Sequence, residues 1–124
     1  MKQSHRVLLV DDEPALLSAL RRVVERAKPD AVVVYASDAA TAVWQLETTA
    51  IRLVLTDLSM QGDDKAGWSV VNAARAAGVT VAVITGTTNP EELEALVRAS
   101  VPLVEKRFLS TAKLTELVEE AFAL

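Results

Sequence analysis

Five apolar runs, each too short for a helix, alternate with segments of helical period, and this alternation restricts the fold more than any other property of the chain. The runs are Arg6-Val7-Leu8-Leu9-Val10, Ala31-Val32-Val33-Val34-Tyr35, Leu53-Val54-Leu55-Thr56, Val79 to Thr85, and Val101 to Glu105. Each is continuous rather than alternating, so each strand is expected to be buried on both faces. Such strands form a parallel sheet with helices on either side. Right-handed crossovers put helices on both faces only if the winding direction reverses once, and the reversal opens a crevice at the carboxyl ends of the strands. The expected architecture is α/β: a doubly wound, five-stranded parallel sheet of order 2-1-3-4-5 with the crevice between strands 1 and 3.

The segments between the runs carry helix signals. Glu13-Pro14 opens the first helix, with proline where its missing N–H costs nothing, and Leu16, Leu20, Val23, Val24 and Ala27 form its apolar stripe. Ser37 or Asp38 caps the second, whose inner face is expected to be Ala39, Ala42, Val43 and Leu46. Trp68 to Ala77 reads as the third, closed by Gly78 in a left-handed cap. Asn89-Pro90-Glu91-Glu92 starts the fourth, leading into Leu93, Leu96 and Val97. Ser110 or Thr111 caps the fifth, which carries Leu114, Leu117, Val118, Ala121 and Phe122. Trp44 and Trp68 are expected to pack, and His5 to be an exposed residue rather than a ligand.

Composition then removes whole classes of chemistry. The 124 residues are enough for a single domain, 1-124. With no cysteine and one histidine, thiolate nucleophiles and His-rich zinc or iron sites are excluded, so oxygen ligands remain. A net charge of −4 and the lack of a clustered cationic surface argue against nucleic-acid contact. No apolar stretch has the length of a membrane span or the character of a signal segment, so a cytoplasmic protein without membrane contact is expected.

The expected strand order brings chemistry to one rim. Asp11 and Asp12 follow strand 1, Asp57 follows strand 3, Thr85 ends strand 4 and Lys106 ends strand 5. Taken singly, the acid pair suits a helix start, Asp57 a turn, Thr85 an ordinary strand and Lys106 a solvated strand end. Together they converge on one crevice. Two carboxylates about 4 Å apart repel by roughly 4 kcal/mol at a protein-like dielectric, so three of them take up protons or recruit a cation. Oxygen-only ligation with room for water suits Mg²⁺ or Mn²⁺. Such an ion commonly meets phosphate: the Thr85 hydroxyl and the Lys106 ammonium would bind phosphoryl oxygens, and Asp57 would be the nucleophile.

Asp11-Asp12, Asp57, Val83-Ile84-Thr85-Gly86 and Lys106 resemble, at matching spacing over the whole chain, the signature of response-regulator receiver domains of two-component signalling. The resemblance implies a flavodoxin-like (βα)5 fold in which Asp11, Asp12, Asp57 and the backbone carbonyl of Ser59 bind Mg²⁺. It also implies phosphoryl transfer to Asp57 from a sensor histidine kinase or phosphotransfer protein. Thr85 then reorients, and a downstream protein is engaged through helix 4, strand 5 and helix 5. Such a chain is a self-catalysed phosphoacceptor and not a multiple-turnover enzyme. The alternatives are a degenerate receiver that docks partners without phosphate, and a magnesium phosphohydrolase, for which no capping segment or added acid/base is evident.

Three positions depart from the family pattern. Arg107 stands where the family usually has a proline in a cis peptide. A cis non-proline bond costs roughly 3–4 kcal/mol, so a trans bond is expected, with a rerouted loop and a Lys106 less well aimed at Asp57. Gln61 replaces a proline after Met60, and the Gly62-Asp63-Asp64-Lys65-Ala66-Gly67 loop is about two residues longer, hence freer and with an extra acid near the site. Leu103 occupies a position that is commonly aromatic, so any switch must be relayed by backbone or helix shifts rather than by burying a ring.

Overall fold

The computed structural model describes residues 4–63 and 65–123. The expected features that involve residues 1–3, Asp64 and residue 124 lie outside them. The elements are β1 (Arg6–Val10), α1 (Pro14–Ala27), β2 (Val32–Ala36), α2 (Ala39–Thr48), β3 (Leu53–Thr56), α3 (Ala66–Ala76), β4 (Thr80–Thr85), α4 (Pro90–Arg98), β5 (Leu103–Glu105) and α5 (Thr111–Ala121), with a 3₁₀ turn at Lys106–Phe108. All strands pair in parallel, in the order β2-β1-β3-β4-β5. This is the flavodoxin-like arrangement expected.

Successive strand residues point to opposite faces, and each face has its own helices. Val7, Leu9, Leu53, Leu55, Ala82 and Ile84 pack against Leu20 and Val24 of α1 and Leu114, Val118 and Ala121 of α5. Leu8, Val10, Val54, Val81 and Val83 pack against Ala42 and Leu46 of α2, Val70, Val71 and Ala74 of α3, and Leu96 of α4. Burying a Leu or Val side chain fully is worth about 1.5–3 kcal/mol, so these two layers hold the strand ends in place. Register carries that order to the rim: Val10 lies opposite both Ala36 and Thr56.

Several local expectations need correction. β2 is an edge strand with Val32 and Tyr35 exposed, and it starts one residue later than expected; an apolar run alone does not distinguish edge from centre. β4 starts at Thr80, and β5, the other edge, pairs only over Leu103–Glu105. α3 begins at Ala66, two residues before Trp68. Trp44 is exposed rather than packed, and of the apolar residues Leu93, Leu96 and Val97 that follow the start of α4, Val97 is 66 % exposed. Trp68 does pack against the α2–α3 layer, and Val43 is half-buried. His5 is exposed but partnered, 3.1 Å from Asp30 and stacked on Phe122.

Of the alternative caps, Asp38 accepts from Thr41 N–H and Ser110 from Lys113 N–H. Asn89 caps α4 through Glu91 N–H, and Gly78 has the expected left-handed φ of +71°. No helix among the described residues is long and apolar enough to cross a membrane.

Candidate phosphoacceptor and cation site

Strand register assembles the acidic cluster. The Asp57 N–H donates to Val10 O at 2.9 Å and the Asp11 N–H to Ala36 O at 3.1 Å, so both aspartates leave the sheet at one level beside the crevice. One carboxylate oxygen from each of Asp11, Asp12 and Asp57 lies within 4.8 Å of the others. Asp11 is 2 % and Asp57 6 % exposed, whereas Asp12 faces solvent. The cluster is thus buried at its base and open on one side.

Donors converge on it. Asp57 Oδ1 accepts from Leu58 N–H at 2.8 Å and, at a longer 3.5 Å, from Ser59 N–H. Asp57 Oδ2 accepts from Lys106 Nζ at 3.0 Å. The same ammonium lies 3.2 Å from Asp11 Oδ2 and 3.6 Å from Glu13 Oε1. Asp11 Oδ1 accepts from Glu13 N–H at 2.9 Å, and Asp12 Oδ2 from Gln61 N–H at 3.1 Å.

Three aspartates against one lysine leave two negative charges when all are ionised. Burial pushes the Asp57 carboxyl above its ordinary range; the Lys106 hydrogen bond and charge pull the other way, and Asp11 adds to the rise. For Lys106, burial lowers, but the hydrogen bond to Asp57 and the charges of Asp57 and Asp11 together hold the ammonium above its ordinary value. A lysine so held stays charged at neutral pH. Oxygen-only donors, a residual charge of two and an open side fit a hydrated divalent cation.

Removing Lys106 should therefore weaken the cation-free fold. Lys106→Met is expected to cost about 1–3 kcal/mol, because Asp11 and Asp57 lose their shared charged donor. Part of that loss should return on adding Mg²⁺, as read by thermal melting. Equal melting of variant and native chain without Mg²⁺ would contradict the accounting.

Thr85, at the end of β4, is 1 % exposed and its hydroxyl oxygen accepts from Thr87 N–H at 3.1 Å. With Leu58 and Ser59 it lines a cleft of about 760 Å³, and with Lys106 a smaller one of about 290 Å³. The five expected side chains of the rim, from four strand ends, therefore meet at one end of the sheet.

Residues 7–119 match the family described as "Response regulator receiver domain". The chain belongs to the response-regulator receiver family. It is 33 % identical over 84 residues to the nitrate/nitrite response regulator protein NarP of Escherichia coli (strain K12), a match covering 68 % of this chain and 38 % of that protein. The signal receiver domain of the putative response regulator NarL from Mycobacterium tuberculosis has the same fold, with a TM-score of 0.79 at 20 % identity, covering 99 % of this chain and 100 % of that one. So does the isolated receiver of RcsB from Salmonella enterica serovar Typhimurium, determined in the presence of the phosphomimetic BeF3⁻, with a TM-score of 0.76 at 23 % identity, covering 92 % of this chain and 85 % of that one.

Within this receiver the three departures have different outcomes. All described peptide bonds are trans, as expected with Arg107, and the chain runs from β5 into the 3₁₀ turn. Yet Lys106 is not misaimed: its 3.0 Å contact with Asp57 corrects that expectation, because β5 pairing of Glu105 with Thr85 fixes where the lysine starts. Arg107 turns outward to Glu105, 2.8 Å away, and over the Phe108 ring. The loop after Asp57 is not free where described. Met60 and Asp63 exchange N–H···O bonds of 3.0 and 2.9 Å, and Asp63 Oδ1 accepts from Lys65 N–H. The extra acid Asp64 lies outside the described residues. Leu103 is half-buried against the core.

Three supporting groups escaped sequence reasoning. The Thr56 hydroxyl donates to Asp57 O at 2.9 Å, Gly67 N–H donates to Leu58 O at 2.8 Å, and Gln61 N–H reaches Asp12. Only Gly67 carried a usable signal: a glycine placed where α3 starts hard against the end of β3.

Proposed function

We propose that this receiver is a phosphorylation-controlled switch in which Asp57 accepts a phosphoryl group from a sensor histidine kinase or phosphotransfer protein. The observation that carries it is the Lys106 ammonium 3.0 Å from Asp57 within a cluster of three convergent carboxylates. Asp11, Asp12, Asp57 and the Ser59 carbonyl would hold Mg²⁺ or Mn²⁺. When bound, the ion neutralises charge on the phosphoryl oxygens and the acceptor.

The remaining work falls to this chain's own groups. An Asp57 carboxylate oxygen forms the new O–P bond as the P–N bond of the phosphohistidine breaks, and the imidazole leaves with the electron pair. Leu58 N–H and Lys106 orient the nucleophile; Lys106 and the Thr85 hydroxyl then bind phosphoryl oxygens. The Thr85 hydroxyl oxygen accepts from Thr87 N–H while its own proton stays available for a phosphoryl oxygen, so reorientation of Thr85 would reach the β4–α4 loop through this bond. Each chain accepts one phosphoryl group rather than turning over a substrate.

Output would leave through α4, β5 and α5: Val97 of α4 is 66 % exposed, and Phe108, 65 % exposed in the turn after β5, lines a shallow groove with Leu103. The match spans 38 % of NarP, so the activity of a longer regulator is carried here only as the expectation that such a face drives a downstream partner.

The test is incubation with Mg²⁺ and acetyl phosphate, followed by intact-mass measurement. A gain of one phosphoryl group, lost when the cation is chelated, is expected, as is Mg²⁺-dependent binding of beryllofluoride. If neither occurs, the chain is a phosphate-independent docking module.

A further inference from the structure

The turn after the acceptor strand does more than lengthen a loop. Met60 and Asp63 close it by reciprocal backbone hydrogen bonds, and the two residues between them, Gln61 and Gly62, have φ of +55° and +78°. Two consecutive left-handed residues define a type I′ hairpin turn. In such a turn the N–H of the first central residue is not used internally. Here that N–H, from Gln61, donates to Asp12 Oδ2 across 49 residues of sequence.

Two further contacts fix the turn. Met60 is buried, and the Gln61 side-chain Nε2 donates to Ser37 O at 3.3 Å, tying the turn to the β2–α2 connection. Asp12 itself is exposed, and among the described residues this N–H is the hydrogen bond its carboxylate accepts. A proline at position 61 would lack the N–H and would hold φ near −65°, losing both the donor and the turn.

We infer that the Gln61–Gly62 turn is a positioning element for cation binding, holding Asp12 in a single orientation with Oδ1 left for the ion. The inference rests on the reading of Asp11, Asp12 and Asp57 as the Mg²⁺ site. A solvated aspartate samples several rotamers, and selecting one before the ion arrives removes that ordering cost from the binding step. Partners that orient a ligand in this way commonly change metal affinity by about 10–100-fold when lost. Gln61 and Gly62 are positioning residues: neither supplies a side-chain ligand.

The experiment uses the sign of φ. A Cβ at Gly62 meets nothing within 4 Å, so a substitution there acts through the backbone alone. Valine strongly disfavours the left-handed conformation, whereas asparagine tolerates it. Mg²⁺ dissociation constants of the unphosphorylated full chain are measured by titration calorimetry. Gly62→Val is expected to bind about 10-fold more weakly, and Gly62→Asn within about twofold of the native chain. Native affinity in Gly62→Val, or equal loss in both variants, overturns the inference. If the native chain binds Mg²⁺ not at all, the site reading fails first, and visibly so. Should Gly62→Val not fold, amide exchange decides: Asp12→Ala should speed exchange of the Gln61 amide by about tenfold, and an unchanged rate overturns the inference.

Discussion

The Asp57→Asn variant should gain no phosphoryl group from acetyl phosphate and Mg²⁺, and without divalent cations it should unfold at a higher temperature than the native chain. The first result follows from chemistry: the carboxamide lone pair is delocalised and supplies no anionic oxygen to attack phosphorus. The second follows from burial. Asp57's carboxyl is held above its ordinary range, chiefly by desolvation and in part by Asp11, despite Lys106. A group raised on folding contributes stability that is present below its unfolded pKa and lost as pH rises through the folded one. At neutral pH the native carboxylate therefore works against the cation-free fold, and a neutral amide relieves it, while Lys106 keeps Asp11 as a partner 3.2 Å away. The advantage should shrink as pH falls and Asp57 itself takes up a proton. Saturating Mg²⁺ should reverse the order, because the native site then gains a cation that the variant binds poorly. A phosphoryl gain in Asp57→Asn would place the acceptor elsewhere. A lower melting temperature in the variant would mean that the Lys106 pair outweighs the burial of the charge.

Much of this site was legible because it is made of residue types at strand ends. The runs before Asp11 and Asp57 mark where β1 and β3 stop, and the order 2-1-3-4-5 makes those stops neighbours, so three carboxylates and a lysine could be placed from side-chain chemistry alone. What sequence could not show divides by cause. Val32 sits in an apolar run like those of β1 and β3, but β2 has a partner on one side only. Val97 and Trp44 are apolar but exposed on α4 and α2, and helical period does not say where the covered stripe ends. The aim of Lys106 depends on the pairing of Glu105 with Thr85 rather than on residue 107. The Gln61 contact is invisible for a different reason: every residue but proline has the same N–H, and only the left-handed turn directs this one at Asp12.

Gly67→Ala should cause the largest loss of stability of any single methyl added to a glycine of this receiver. A Cβ there would sit 2.2 Å from Asp57 O and 2.6 Å from Leu58 Cα, both backbone atoms that cannot swing aside as a flexible side chain would. At Gly86 the nearest atom is Lys106 Cδ at 3.7 Å, an ordinary contact, and at Gly62 only the left-handed backbone objects, at about 1 kcal/mol. The Gly67 N–H bond to Leu58 O holds the start of α3 against β3, so the clash is relieved only by prising helix from strand end. Overpacking against fixed backbone costs about 3 kcal/mol or more, a large share of the roughly 5–15 kcal/mol available to a domain, and should lower the melting temperature by about 10 °C. The atoms displaced belong to Asp57 and to Leu58, whose N–H donates to the Asp57 carboxylate. Mg²⁺ affinity and phosphoryl uptake should therefore fall in whatever fraction still folds. A variant that melts within about 2 °C of the native chain would show slack between α3 and β3. In that case Asp57 would owe its position to the β1 register and Lys106, and not to the close approach of the helix behind it.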